Sequence, residues 1–258
     1  MTVTVRTVHD VAGIAAVADF FCEVWQTPRS APPYPAEVLH SLRHAGGAVH
    51  AAYGTDGALA GAAVAVFGEP ADRDCYSFVA AARTSDRGVG LLVKRAQREW
   101  AVQRGARTMR WTFDPLVGRN ARFNLVKLGG TGTEYLVDFY GPMADGLNDG
   151  DESDRLTVTW DLTAPDATPR AEPPAPTGDV IATAPDGAAL AYREGDTVRC
   201  RVPEDIVRLR AADPDEGLRW RHAVREVFTQ AFAEGYVATS MSRDGWYTLE
   251  RTPERTSA

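Results

Sequence analysis

The chain has 258 residues, of which 44% are apolar, enough to build a core in one large domain or two small ones. A formal charge of −7 argues against wrapping a nucleic-acid backbone or lying on an anionic membrane, since both need a positive field. Cys22, Cys75 and Cys200 are odd in number and scattered, with no CxxC spacing, which excludes the usual zinc and redox signatures and fits reduced thiols in a cytosol.

The N-terminus MTVTVRTVHD lacks the basic start and apolar run of a signal peptide, and no stretch approaches the ~18 to 20 apolar residues of a membrane span. A cytoplasmic protein is expected. Arginine outnumbers lysine heavily, Lys94 and Lys127 being the only lysines, which reads as coding bias.

In chain order, Val3 to Thr7 alternates like a strand, and Asp10 can cap a helix whose Val11, Ile14, Ala18, Phe21 and Trp25 keep helical spacing. After the prolines of TPRSAPPYP, a second helix is expected from Pro35 to His44. AVHAAYG and ALAGAAVAVFG then read as a hairpin about a TDG turn, with a third strand from Cys75 to Ala82.

The stretch RTSDRGVGLLVKRAQREW opens as a turn and closes as an amphipathic helix, with Val89, Leu92, Val93, Ala96 and Trp100 on one face and Lys94, Arg95, Arg98 and Glu99 toward water. Gly105 can end that helix in the left-handed conformation. TMRWTF, Thr108 to Phe113, is a strand directly after it, so a parallel crossover within a mixed sheet is expected.

A short helix from Arg119 to Leu128 is stopped by Gly129 and Gly130, and Leu156, Val158 and Trp160 mark a further strand. Thr163 to Gly178 is proline-rich and reads as a linker or exposed loop. Beyond it VIATAP, ALAYREG, TVRCRVP and WYTLER read as strands and Leu218 to Ala233 as a helix. Trp220, Val224, Val227, Phe228 and Ala231 form its apolar face. The composite is an α/β (α+β) chain.

Chemistry concentrates at the glycine turn. A helix N-terminus presents unpaired N–H groups at the positive end of its dipole, and Gly88 and Gly90 let a diphosphate approach them, with Arg83 and Arg87 available for charge-assisted bonds. A tight turn with close helix packing would use the same glycines. Neither a GxGxxG fingerprint near the chain start nor a GK[ST] loop is present.

The order of these elements and the turn Ser85-Asp86-Arg87-Gly88-Val89-Gly90 resemble the GNAT acyltransferase superfamily, whose signature there is [QR]-x-x-G-x-[GA]. Ala96 to Gly130, with YLVDFYG and DRLTVTWDL, is similar to a bacterial branch of predicted N-acyltransferases with a long C-terminal extension, some of them associated with succinyl transfer to D-amino acids. The resemblance implies a mixed, splayed sheet flanked by helices over residues 1–162, a linker over 163–178 and a smaller α+β extension over 179–258.

It further implies acyl-CoA, either acetyl-CoA or succinyl-CoA, as co-substrate without a metal. The partner would be a small-molecule amine or amino-acid acceptor, and neither nucleic acid nor membrane is expected. A homodimer is compatible. Val79, Ala80 and Ala81 would bind the thioester arm through their main chain, and Ser85, Asp86, Arg87, Gly88, Val89 and Gly90 the diphosphate. Many relatives carry an acidic tyrosine four residues before a glycine; that position is Leu125, so the role does not transfer.

Amine acylation needs a neutral nucleophile, a positioned thioester, oxyanion stabilisation and a proton for the thiolate. Asp114, at the end of TMRWTF, can orient or deprotonate the amine, although an Asp before Pro115 also suits a turn. Asn120 and Asn124, four apart on a predicted helix, can face one cleft, or serve as a cap and a buried amide. Tyr135 or Tyr140 can protonate the thiolate or be core, and Arg122 or Arg155 can fork onto a carboxylate or be solvated.

His40 and His44 share metal-like spacing without a third ligand, and the acidic run Asp145 to Asp154 lacks the EF-hand pattern and reads as a solvated loop. A non-catalytic acyl-CoA-binding or partner-binding module, or another thioester-processing enzyme on the same fold, are the competing readings.

Overall fold

The computed structural model describes residues 3–83, 88–141, 151–165 and 172–251, apart from the side chain of Pro70. The chain forms two compact units. Of the described residues, the first holds 3–83, 88–111 and 161–165, and the second 112–141, 151–160 and 172–251. Boundaries between the units fall after Trp111, inside a strand, between Trp160 and Asp161, and again within the proline-rich stretch.

In the first unit the order is β1 (Thr4–Val8), α1 (Val11–Trp25), α2 (Ala36–His44), β2 (Ala48–Tyr53), β3 (Leu59–Phe67), β4 (Asp74–Ala82), α3 (Val89–Gln103) and β5 (Thr108–Phe113). The strands lie in the order β1-β2-β3-β4-β5, antiparallel except for β4 and β5, the expected parallel crossover. Asp10 caps α1 by accepting from the Gly13 amide at 2.7 Å.

Alternation along β2 and β3 sorts small residues to two faces. Ala51, Ala62 and Val64 join Ile14, Val17, Phe21 and Leu39 beneath α1 and α2, whereas Ala52, Ala60 and Ala63 meet Val89 and Val93 of α3. Gly61 lets α3 sit this close: a Cβ there would lie 2.7 Å from Val89 Cγ1 and 3.2 Å from the Ala81 carbonyl.

The second unit continues with α4 (Gly118–Arg122), a π-helical turn over Phe123–Lys127, β6 (Thr131–Leu136), β7 (Arg155–Asp161), β8 (Asp179–Thr183), β9 (Ala189–Glu194), β10 (Thr197–Arg201), α5 (Ile206–Ala212), α6 (Pro214–Ala233), β11 (Tyr236–Met241) and β12 (Trp246–Arg251). Its strands follow the order β7-β6-β11-β12-β10-β9-β8, with α6 burying Trp220, Val224, Val227, Phe228 and Ala231 as its apolar face predicts.

β6, α5 and β11 are additions to the sequence-based elements, and α6 starts earlier than expected. Asp213 caps it by accepting from the Glu216 amide, with Pro214 in the first turn. Among the described residues no helix is long and apolar enough to cross a membrane, and no group of three His, Cys, Asp or Glu could hold a metal ion. All three cysteines are buried and free.

Candidate active site

β4 carries the geometry that matters. Its register with β3 runs Ala82, Ala81, Ala80 and Val79 against Gly61 to Val64, then jumps to Ser77 opposite Ala65, leaving Phe78 as an extra residue in a β-bulge. The bulge breaks the alternation. Phe78 and Val79 both lean toward α1 and α2, Phe78 onto the Tyr34 ring at 5.5 Å and Val79 into the core, while Ser77 points to α3.

On its other edge β4 pairs with β5 only at Asp74, Cys75 and Tyr76, which face Thr108, Met109 and Arg110. Beyond Tyr76 the parallel register ends, so the edge of β4 from Ser77 to Ala82 carries main-chain groups that this ladder does not use. Val79, Ala80 and Ala81 lie in that edge, immediately past the bulge.

The turn after β4 leads into α3. Ser85, Asp86 and Arg87 lie outside the described residues. Gly88 is the N-cap at φ +93°, a left-handed conformation that favours glycine, and a Cβ at that position would meet nothing within 4 Å. Its carbonyl accepts from the Leu91 and Leu92 amides, and Val89 and Gly90 form the first turn of the helix. Arg83, expected to face a phosphate, instead donates to Glu23 at 2.8 Å and to the Leu59 carbonyl at 3.0 Å.

Lys94 departs from the sequence expectation most. Predicted to face water, it is only 4% exposed, its Nζ 2.7 Å from Ser77 Oγ and 3.7 Å from the centroid of the Trp111 ring. Ser77 Oγ donates to Gln97 Oε1 at 2.8 Å. Burial pushes the amine down from 10.5 to about 7. Arg98, also expected in water, is half-buried and donates to the Leu162 and Ala164 carbonyls.

The remaining candidates belong to the second unit. Asp114 is buried between Arg221, at 2.7 and 3.0 Å, and Arg210, at 3.1 Å, and Asp114 Oδ1 also accepts from the Leu116 amide at 2.9 Å. Burial alone would raise its pKa, but the charge and hydrogen bonds of Arg221, then the charge of Arg210, hold it down at about 2. Such a carboxylate is a weak base. Asp151 closes the cluster on the same two arginines.

One turn further along α6, Arg225 pairs with Asp154, and the Tyr135 hydroxyl donates to the same Asp154 at 2.7 Å. Burial and then Asp154 raise the Tyr135 pKa, which leaves it a weak acid. The part of the acidic run that the structure describes is therefore no solvated loop, since Asp151 and Asp154 are buried ion-pair partners.

Asn120 is exposed on α4, whereas Asn124 is 5% exposed inside the π-helical turn, its carbonyl accepting from the Gly130 amide. The widened turn disrupts the i, i+4 spacing expected of one continuous α-helix. Arg122 forks onto Glu172 and also reaches the Met241 carbonyl. Arg155 lies over the Tyr140 ring, which is itself 53% exposed.

The parallel strand pair that parts, the bulge beside the parting and the glycine turn opening the next helix belong to a fold shared with solved N-acetyltransferases, and the chain extends beyond the part they cover. Among solved structures, an N-acetyltransferase from Staphylococcus aureus Mu50 aligns over 63% of this chain and 99% of its own, at 13% identity and a TM-score of 0.50. The Salmonella typhimurium yncA protein, solved with its cofactor acetyl-CoA, covers 68% of this chain and 99% of its own at 15% identity and a TM-score of 0.49.

The ribosomal-protein-S18-alanine N-acetyltransferase from Escherichia coli covers 62% and 94% at 13% identity and a TM-score of 0.48. At such identities the likeness is one of fold. No family model matches the chain, and no curated protein does.

Proposed function

We propose that the protein is a CoA-dependent N-acyltransferase that moves an acyl group from an acyl-CoA thioester to the amine of a small molecule by direct attack. The observation that carries this reading is the parting of β4 from β5 after the Tyr76–Arg110 pair, next to the Phe78 bulge and followed by the Gly88 turn. That arrangement offers an extended ligand a row of strand main-chain groups and, at its far end, helix N-terminal amides for a diphosphate.

In this reading Val79, Ala80 and Ala81 hold the amide-bearing arm of CoA, while Gly88, Val89 and Gly90, with Ser85, Asp86 and Arg87, hold its phosphates. The amine nitrogen attacks the thioester carbonyl carbon, the C–S bond breaks, the amine loses a proton and the thiolate gains one. A main-chain amide at the bulge can meet the developing oxyanion.

Asn120, exposed on α4, is the polar candidate for contacting acceptor or cofactor, with Asn124 supporting the turn behind it. Asp114 and Tyr135, engaged by Arg221 and Arg210 and by Asp154, are assigned to stabilising the second unit and not to the proton transfers. Acetyl-CoA and succinyl-CoA are the candidate donors, and an amino acid is the candidate acceptor.

Thermal shift against a panel of CoA esters tests binding, because a ligand at about 100 times its Kd adds roughly 2.7 kcal/mol. Free thiol release with and without amines then separates transfer from hydrolysis and from binding alone. Gly88→Glu, which sets a carboxylate in the phosphate turn, is expected to weaken ester binding far more than it lowers Tm. Full ester affinity in that variant would overturn the assignment.

A further inference from the structure

A second cleft lies toward the other end of α3. It encloses about 510 Å³ between β1, β2, the α2–β2 turn and the C-terminal half of α3. Along α3, Trp100 in its wall is ten residues from Gly90, about 15 Å at the rise of an α-helix. Arg6, Arg43, Arg104 and His9 line it against one carboxylate, Glu99. Its wall is thus positive although the chain as a whole is acidic.

His50, another lining residue, is 2% exposed. Its Nδ1 is 3.3 Å from Thr7 Oγ1, and its Nε2 is buried without a hydrogen-bond partner. The Nε of Arg43 is buried and without a partner as well. The Trp100 ring stands edge-on to His50 at 6.1 Å, with Arg104 stacked over it at 5.0 Å. Burial, then the charges of Arg104 and His9, depress the His50 pKa to about 4.

A buried nitrogen without a partner costs free energy unless something brought from outside satisfies it. Guanidiniums favour planar or tetrahedral oxyanions, and the volume suits a compact metabolite. We infer that this cleft binds a small organic anion bearing carboxylate or phosphate groups, at a place separate from the acyl-CoA groove. The inference stands on the cleft alone and holds whether or not the chain transfers acyl groups.

The test is a titration of the full chain with citrate and, separately, with inorganic phosphate, at ionic strength held constant with sodium chloride. Histidine ring signals are read by NMR. Saturable movement of the His50 signals and a rise in its pKa are expected, and whichever probe binds more tightly identifies the preferred headgroup. Arg43→Gln is expected to weaken binding about tenfold or more, as the loss of a charge-assisted bond implies.

Gly88→Glu, at the opposite end of α3, is expected to leave the titration unchanged, which separates this site from phosphate bound at the glycine turn. If Arg43→Gln fails to fold, the exposed Arg104→Gln serves instead. Absence of a saturable His50 response to both probes overturns the inference. So does a response that the arginine variants retain in full.

Discussion

Replacing Lys94 by methionine probes the most unusual group in the first unit. The side chain is fully enclosed, has a hydroxyl and an indole face as partners, and is held at about 7 instead of 10.5. That displacement corresponds to roughly 5 kcal/mol disfavouring the charged amine in the folded state, at about 1.4 kcal/mol per tenfold. Methionine has similar length and no charge, but gives up the Ser77 bond and the contact with Trp111, about 1 kcal/mol each.

The variant is therefore expected to be more stable at pH 7 by roughly 2 to 3 kcal/mol. Between about 7 and 10.5 the unfolded chain keeps the lysine proton and the folded chain has released it, so stability of the native sequence rises with pH across that window. The advantage of methionine should accordingly be full below about 7 and shrink toward 10.5. Urea unfolding of both proteins, followed by tryptophan fluorescence at several pH values, measures the difference, in which other titrations cancel. A difference that stays flat with pH, or a methionine variant less stable at neutral pH, refutes the reasoning.

Asp114→Asn removes one of two carboxylates from the paired arginines and is expected to cost about 3 to 5 kcal/mol by urea midpoint. Because its pKa is depressed from 3.8 to about 2, the stability Asp114 contributes is complete above 3.8 and disappears as pH falls through about 2, so the difference between native and variant should vanish in strong acid. Gly61→Ala sets a methyl 2.7 Å from Val89 Cγ1 and is expected to cost about 1 to 3 kcal/mol in a melting experiment. Asn120→Ala, at an exposed position, should leave stability within about 0.5 kcal/mol while thiol release falls about tenfold; undiminished turnover would remove Asn120 from the site.

Much of the first unit was legible because its signals are local. Asp10 as a cap, alternation in β2 and β3, and the helix-to-strand step at Thr108 each depend on a few adjacent residues. What stayed hidden depends on partners far along the chain. The Phe78 bulge is visible only against the register of β3, and Lys94 lies beside an apolar stripe without belonging to it.

A signal for Lys94 did exist: it is one of two lysines among 28 basic residues, and an amine can shed its proton where a guanidinium cannot. Asp114 and Tyr135 looked reactive because residue type says nothing about which arginine occupies the carboxylate. Asp114 is held by Arg221 of α6, more than 80 residues later, and Tyr135 by Asp154, which pairs with Arg225 of the same helix. β6 and β11 went unread because Gly132 and the irregular register after Ala238 blur the period of two.

The alanines that pave β2 and β3 carry a consequence of their own. A methyl group has no rotamers to lose, so covering these strands costs only main-chain freedom, yet in a close-packed interior a larger side chain at such a buried position must displace its neighbours. Variation in this half of the molecule must then be lopsided, tolerating trimming more readily than growth, and new selectivity would have to arise at the rim, in segments such as the one bearing Tyr34, while the floor stays fixed.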